Sequence, residues 1–345
     1  MEDKIVSNQA LFQNIAILIE QARQRVVAAV NLTMVHTYFE IGKMIVEEEQ
    51  QGKQRAAYGK HILKELSEKL STKFGKGFSV DNLQSMRALY LSYSIYETVS
   101  RKFQLSWSHY LILMRIENID ARNFYEIEAI AGQWSLKELR RQTNSALYER
   151  LALSRDKEAV ARLAIEGQLI EKPKDVIKDP YILDFLGLEE HLKYSEKELE
   201  TRIIDHLQAF LLELGKGFTF VGRQVRFTFD EEHFKVDLVF YNRLLRCFVV
   251  LDLKLGKMTH QDLGQIQMYV NYYDRHVKLE DENSTIGILL CQKKSDAIVE
   301  LTLPPDANIY ASAYSLYLPD KKLLEQKLAE WTAEFEEYET KKQLE

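Results

Sequence analysis

The chain has 345 residues and carries 46 lysines and arginines against 52 aspartates and glutamates, a formal net charge of −6. Hydrophobic residues make up 46% and charged residues 28%, which excludes a disordered or fibrous chain and leaves room for more than one hydrophobic core. Two cysteines, Cys247 and Cys291, exclude a disulfide scaffold and a Cys-x-x-Cys zinc site. There is no secretory leader pattern and no apolar run near the ~20 residues of a membrane span, so a cytoplasmic protein with no membrane partner is expected. The charge is uneven. Residues 1–150 hold 20 basic against 17 acidic residues, or +3, and residues 151–345 hold 26 against 35, or −9. A mildly basic half beside an acidic half suits a polyanion-binding module joined to a metal-binding one.

All five prolines lie beyond residue 172, so nothing in the first half breaks a helix interior. Ile15, Leu18, Ile19, Ala22 and Val26 recur at helical spacing, as do Leu32, Val35, Phe39 and Ile41. A second helix is predicted over 60–73, stopped by Gly75 and Gly77, and a third from its cap Ser79, with Leu83, Met86, Leu89 and Tyr90 inward. Further helices are predicted near 106–116 and 121–131. Another opens at Ser135, with Glu138 at capping-box spacing.

The charged, proline-bearing stretch EKPKDVIKDP marks the expected linker, 156–192, between a helical domain (1–155) and a second domain (193–345). Ser195 and Glu198 form a capping box that opens a helix to about Gly215. Strand-like runs follow at 218–229, 234–242, 245–256 and 284–291, with a helix across 260–277 between the last two and a charged helix after Pro319. This order predicts an α/β (α+β) core around a mixed sheet.

The chemistry concentrates in VDLVFYN and FVVLDLKLG. Strand alternation places Asp252 and Lys254 on one face and Leu251, Leu253 and Leu255 on the other. A hairpin through Asn242-Arg243-Leu244 lays Asp237 across from them. Charges in so apolar a run are costly unless they are paired or bind a metal. Two converging carboxylates, with the Leu253 carbonyl, suit Mg²⁺ (or Mn²⁺), and Lys254 can orient a water or neutralise a phosphate. Asp-x-Lys alone decides nothing, since an acid stands two residues before a lysine five times in the chain; only Asp252 does so inside an apolar strand next to another Asp-bearing strand. Glu200 can reach the same point from the preceding helix, and Gln265 and Tyr269, four residues apart, share a face of the following one. No His-x-x-x-His spacing and no glycine-rich phosphate loop occurs, which argues against a zinc hydrolase or a nucleotide-driven motor.

The succession of Glu200 helix, Asp237 strand, Asp252-Leu253-Lys254 strand and Gln265-x-x-x-Tyr269 helix resembles the PD-(D/E)XK nuclease superfamily. FLLELGKGFTFVGRQ, VDLVFYNRLLRCFVVLDLKLG and GQIQMYVNYYD, with LSTKFGKGFSVDNLQSMRALY and WSLKELRRQTNSALYERL in the first half, are similar to the YhcG-type family of predicted nucleases (domain of unknown function 1016). The resemblance implies a restriction-endonuclease-like core behind a helical, winged-helix-like N-terminal domain. It carries Glu200, Asp237, Asp252, Lys254, Gln265 and Tyr269 into the catalytic set. Many relatives have Glu where this chain has Asp252.

The expected function is a divalent-metal-dependent endonuclease hydrolysing phosphodiester bonds of nucleic acid, DNA before RNA. Its N-terminal domain is expected to bind substrate through phosphate contacts at Lys60, Lys73, Lys76, Arg87, Arg101, Lys102, Arg140 and Arg141. Asn82, Gln84 and Arg87 would face base edges from the helix starting near residue 80. The competing expectation is a catalytically silent helix-turn-helix-like regulator or assembly factor, and a third is a helical domain that contacts another protein or forms a homodimer, with Trp107, Tyr110 and Trp134 as suited to an interface as to a core.

Overall fold

The computed structural model describes residues 2–51, 56–94, 103–153, 157–188, 194–229, 231–304, 306–326, 328 and 330. The chain divides into two compact units, Met1–Arg140 and Arg141–Glu345.

In the first unit, α1 (Glu2–Gln51), α2 (Ala56–Phe74), α3 (Val80–Tyr93), α4 (Trp107–Leu113) and α5 (Ile119–Ala131) lead to α6 (Leu136–Asn144), which crosses the boundary. The predicted caps form: Ser79 Oγ accepts from the Asn82 N–H at 3.3 Å and Ser135 Oγ from the Glu138 N–H at 3.2 Å. Ile45, Leu63, Leu83 and Met86 make one buried cluster with Tyr38, Leu66 and Trp107 packed against it. Gly42 permits the close crossing of α1 over α3, since a Cβ there would lie 2.1 Å from the Met86 carbonyl oxygen. No strand occurs among the described residues of this unit, so the expected wing has no counterpart in them.

The second unit continues with α7 (Leu147–Leu153), α8 (Lys157–Glu166), β1 (Tyr181–Ile182), α9 (Glu196–Asp205), α10 (Leu207–Leu214), β2 (Phe218–Phe229), β3 (Glu232–Asn242), β4 (Cys247–Lys257), α11 (His260–His276), β5 (Ile286–Lys293), α12 (Asp296–Thr302) and β6 (Ile309–Ser315). The six strands form one mixed sheet ordered β1-β6-β5-β4-β3-β2. Neighbours from β1 to β4 pair in parallel, while β4–β3 and β3–β2 pair antiparallel. Strand alternation sends Val249, Leu251 and Leu253 into a core with Leu199, Ile203 and Phe210 of α9 and α10. Val250 and Leu289 join the opposite core with Ile266, Tyr269 and Tyr273 of α11.

Three differences from the sequence reading have physical causes. The single helix expected over 195–215 breaks at His206, whose ψ of 31° leaves the helical region, giving α9 and α10. Residues expected as linker include α8 and β1, and Tyr181, Ile182, Leu183 and Leu186 are buried. Their order depends on β6, with Tyr181 opposite Tyr314, a partner no local pattern reveals. Of the expected C-terminal helix, residues 321–326 are helical and most of the remainder lies outside the described residues.

Candidate active site

The β3–β4 ladder fixes the site. Its last paired residues at this end are Leu238 and Leu251, so antiparallel register sets Asp237 and Asp252 opposite each other one step beyond. Two like charges directly opposed destabilise a sheet, and the ladder stops where they meet. Asp237 Oδ2 instead accepts the Leu253 N–H at 2.9 Å, taking the place of a strand partner.

Asp237 Oδ1 accepts from Gln224 Nε2 at 2.9 Å, and the same nitrogen donates to Glu200 Oε2 at 2.8 Å. Carboxylates only accept, so the amide must present its NH₂ to both. Gln224 takes φ +47°, a left-handed conformation inside β2 that non-glycine residues seldom adopt. A shift of register between Phe220 and Gly222 precedes it.

Asp252 is 2% exposed, and its Oδ2 lies 3.4 Å from Lys254 Nζ yet accepts no well-directed hydrogen bond. Burial, and then the facing Asp237, push its carboxyl up to about 7. Burial likewise raises Asp237 and Glu200. Glu200 Oε1 is also without a hydrogen bond, though Arg223 Nε stands 3.2 Å away. Burial works against the charge on Lys254, but Asp252, Glu196 and Asp262, at 3.4, 3.6 and 3.9 Å, outweigh it and raise its pKa. Lys254 is therefore a fixed ammonium.

The predicted set thus comes together on β3, β4, α9 and α11. Tyr269 is buried with its hydroxyl donating to the Lys235 carbonyl at 2.8 Å, while Gln265 Nε2 donates to that hydroxyl. Both brace β3 beside Asp237. Sequence reading missed Gln224, Arg223, Glu196 and Asp262. Only the last two carry a local signal, as acids in the first turns of α9 and α11, with Asp262 closing a capping box with Thr259. The Leu255 N–H donates to Glu196 Oε1, which ties α9 to the strand.

Among the described residues no three of His, Cys, Asp and Glu converge closely enough to cage a metal ion by themselves. The donor set still fits a hard divalent cation: it is all oxygen, and it holds buried carboxylate oxygens on Asp252 and Glu200 that no hydrogen bond satisfies. Mg²⁺ keeps several waters and needs one or two carboxylates from the protein.

The expected nucleic-acid contacts fare differently. Lys73, Lys76, Gln84 and Arg140 are exposed. Asn82 is committed to the fold: its amide donates to the Gly77 carbonyl and accepts from Trp107 Nε1 at 3.1 Å. Arg87 pairs with Glu49 at 2.7 Å. Arg141 is not a surface phosphate contact, because it reaches Glu213 at 3.2 Å and Asp184 at 3.4 Å and stacks on Phe185. Arg101 and Lys102 and the side chain of Lys60 lie outside the described residues.

Comparison with known proteins agrees with this layout. The YhcG PDDEXK nuclease domain matches residues 174–329, and the DUF1016 N-terminal domain matches residues 14–150. "Putative nuclease YhcG" of Escherichia coli (strain K12) is 39% identical over 95% of this chain and 96% of its own length. The chain belongs to the YhcG family. Residues 174–329, within its second unit, are accordingly a PDDEXK nuclease domain. Two solved structures also match: a repair endonuclease from Pyrococcus abyssi (18% identity, TM-score 0.25, 38% of this chain) and EndoMS in complex with dsDNA (16%, 0.27, 39%). The chain spans half the length of each.

Proposed function

We propose that the second unit hydrolyses phosphodiester bonds within nucleic acid, DNA before RNA, in a reaction that depends on Mg²⁺ or Mn²⁺, and that the first unit binds the substrate. The observation that carries this reading is the Asp237–Asp252 pair at the open end of the β3–β4 ladder with Lys254 beside it. Asp237, Asp252 and the Leu253 carbonyl would hold the cation, and Glu200 would offer a further oxygen. A bound divalent cation supplies a water of lowered pKa and a polarised phosphate.

The remaining roles fall to the chain itself. Lys254, held charged by Asp252, Glu196 and Asp262, donates a hydrogen bond to a phosphate oxygen and offsets the negative charge that builds there. Gln224 fixes the rotamers of Asp237 and Glu200. Gln265 and Tyr269 keep β3 in place. In the first unit, α2, its glycine turn and α3 follow one another as a helix–turn–helix, with Lys73, Lys76 and Gln84 exposed along it. This succession supports DNA as substrate.

The test is cleavage of labelled single-stranded, duplex and branched DNA, and the matching RNA, with Mg²⁺, Mn²⁺, Zn²⁺ or EDTA. Cleavage with Mg²⁺ or Mn²⁺ that EDTA abolishes is expected. Salt-sensitive binding without cutting would assign the silent regulator instead, and activity that survives EDTA or needs zinc would overturn the metal assignment. Replacing Lys73, Lys76 and Arg140 together by Ala should weaken binding and flatten its salt dependence.

A further inference from the structure

The long helix α1 behaves as two helices in one. From Val35 to Val46 its side chains enter the core of the first unit, with Val35, Ile45 and Val46 buried. From Phe12 to Asn31 every described side chain is exposed, and many are large and apolar: Phe12 is 71% exposed and Leu18 66%, with Ile15, Ile17, Ile19, Val26 and Val30 about half exposed or more. Water does not tolerate such a stripe on a folded monomer without a use for it.

The spacing says what covers it. Phe12, Ile15, Ile19, Ala22, Val26 and Ala29 are separated by 3, 4, 3, 4 and 3 residues, the a/d pattern of a helix that packs along its length against another helix. Leu18 and Val30 flank that seam on either side and widen it. A groove on a globular partner is filled by anchors over about two turns, whereas this seam continues for about two and a half heptads, roughly 27 Å, a length that a helix bearing the same repeat covers from end to end. A second copy of this chain supplies one.

The area is sufficient. Burying a large apolar side chain removes roughly 60–120 Å² from water, so the six large residues on the seam and its two flanks, Ile17 aside, contribute on the order of 400–700 Å² per copy. Doubled, and enlarged by the alanines and the stems of the flanking polar residues, this reaches the roughly 1,200 Å² at which stable specific interfaces begin.

We propose that residues 12–30 of α1 form a helical seam through which two copies of this chain associate. The seam lies outside the core of its own unit, so it can be altered without unfolding the chain.

Sedimentation equilibrium of the full chain at 1–50 µM tests this. A mass of twice 40.4 kDa is expected for the wild type. The double variant Ile15→Asp with Ile19→Asp should raise the dissociation constant at least ~100-fold, through the cost of burying charge, and sediment as a monomer with unchanged near-UV circular dichroism. Gln13→Asp, off the seam, should remain dimeric. A monomeric wild type, or a dimer indifferent to the double variant, would overturn the proposal. So would a monomer that floats with lipid vesicles through the same residues, which would assign the stripe to a membrane surface.

Discussion

The second unit buries a cluster of charge around Glu213 and another around Asp252, and they are built on opposite principles. Around Glu213 the acid itself is fully partnered: its carboxylate receives Arg150 at 2.8 Å, Arg141 at 3.2 Å and the Ile182 N–H at 2.9 Å, and Lys178 donates to its carbonyl oxygen. Burial alone would raise Glu213, but Arg150, Lys178 and Arg141 overwhelm it and hold the carboxyl at about 2. Around Asp252 the balance is reversed. Asp237, Asp252, Glu196, Glu200 and Asp262 share Lys254 and the half-exposed Arg223, and Asp252 stays raised to about 7. A saturated cluster holds a fold together. A cluster with surplus negative charge and unsatisfied oxygens holds it under strain, and that surplus is what a cation can use.

The sharpest way to break this contrast is at the site itself. Lys254→Ala and Asp252→Asn should each lower cleavage by at least ~10³-fold, since one removes charge stabilisation at the phosphate and the other the charge that a cation needs. Single-turnover assays on the substrate that the wild type cuts best would measure this. Cutting at wild-type rate by Asp252→Asn would refute the assignment.

The two clusters should then answer neutralisation with opposite signs. Glu213→Gln removes the carboxylate charge that Arg150 pairs with in the core and should cost about 3–5 kcal/mol, read from urea unfolding. Asp252→Asn in the absence of metal relieves repulsion from Asp237 and should leave stability unchanged or raise it. Mg²⁺ should raise the Tm of the wild type and not that of Asp252→Asn. If both substitutions destabilise equally, the Asp252–Lys254 pair is a structural bridge and nothing more.

The pH dependence separates the clusters a second way. A buried Asp252 titrating near 7 binds its proton more tightly folded than unfolded, where an aspartate titrates near roughly 4. Its contribution to the metal-free fold is therefore greatest below about 4 and is lost as pH rises toward 7. Glu213 runs the other way, being fully stabilising above roughly 4.5 and losing that effect as pH falls toward about 2. Tm measured from pH 3 to 8 in EDTA should show the descending limb flatten in Asp252→Asn and the acid limb flatten in a folded Glu213→Gln.

The smallest expected effect is at Gln224. Gln224→Leu deprives Asp237 and Glu200 of their shared donor and should lower kcat about tenfold with little change in substrate KM. A change in KM with kcat intact would move Gln224 from positioning carboxylates to contacting substrate.

Much of this was legible beforehand. The run 218–229 reads as a strand along its full length, the Ser195–Glu198 capping box opens a helix where it stands, and the two-residue period of strands sets Asp252 and Lys254 together. Such features depend on neighbours within a few residues, so the order of side chains determines them. The pairing of Asp237 with Asp252 was also accessible, because a short antiparallel turn leaves one register that keeps Leu238 and Leu251 in the same core.

What lay outside the sequence depended on partners far along the chain. β1 is ordered by β6, and the Ala313 N–H bonds to Asp179, 134 residues away. Arg141 reads as a surface cation on an amphipathic helix, yet Glu213, 72 residues on, draws it into the domain. Gln224 looks like any polar residue in a strand until its left-handed backbone turns the amide between two carboxylates contributed by α9 and β3. Residue order specified which elements form and which charges they carry. Only their packing decided which charges are neutralised and which are left in surplus, because a buried ion's energy is set by its neighbours in space rather than along the chain.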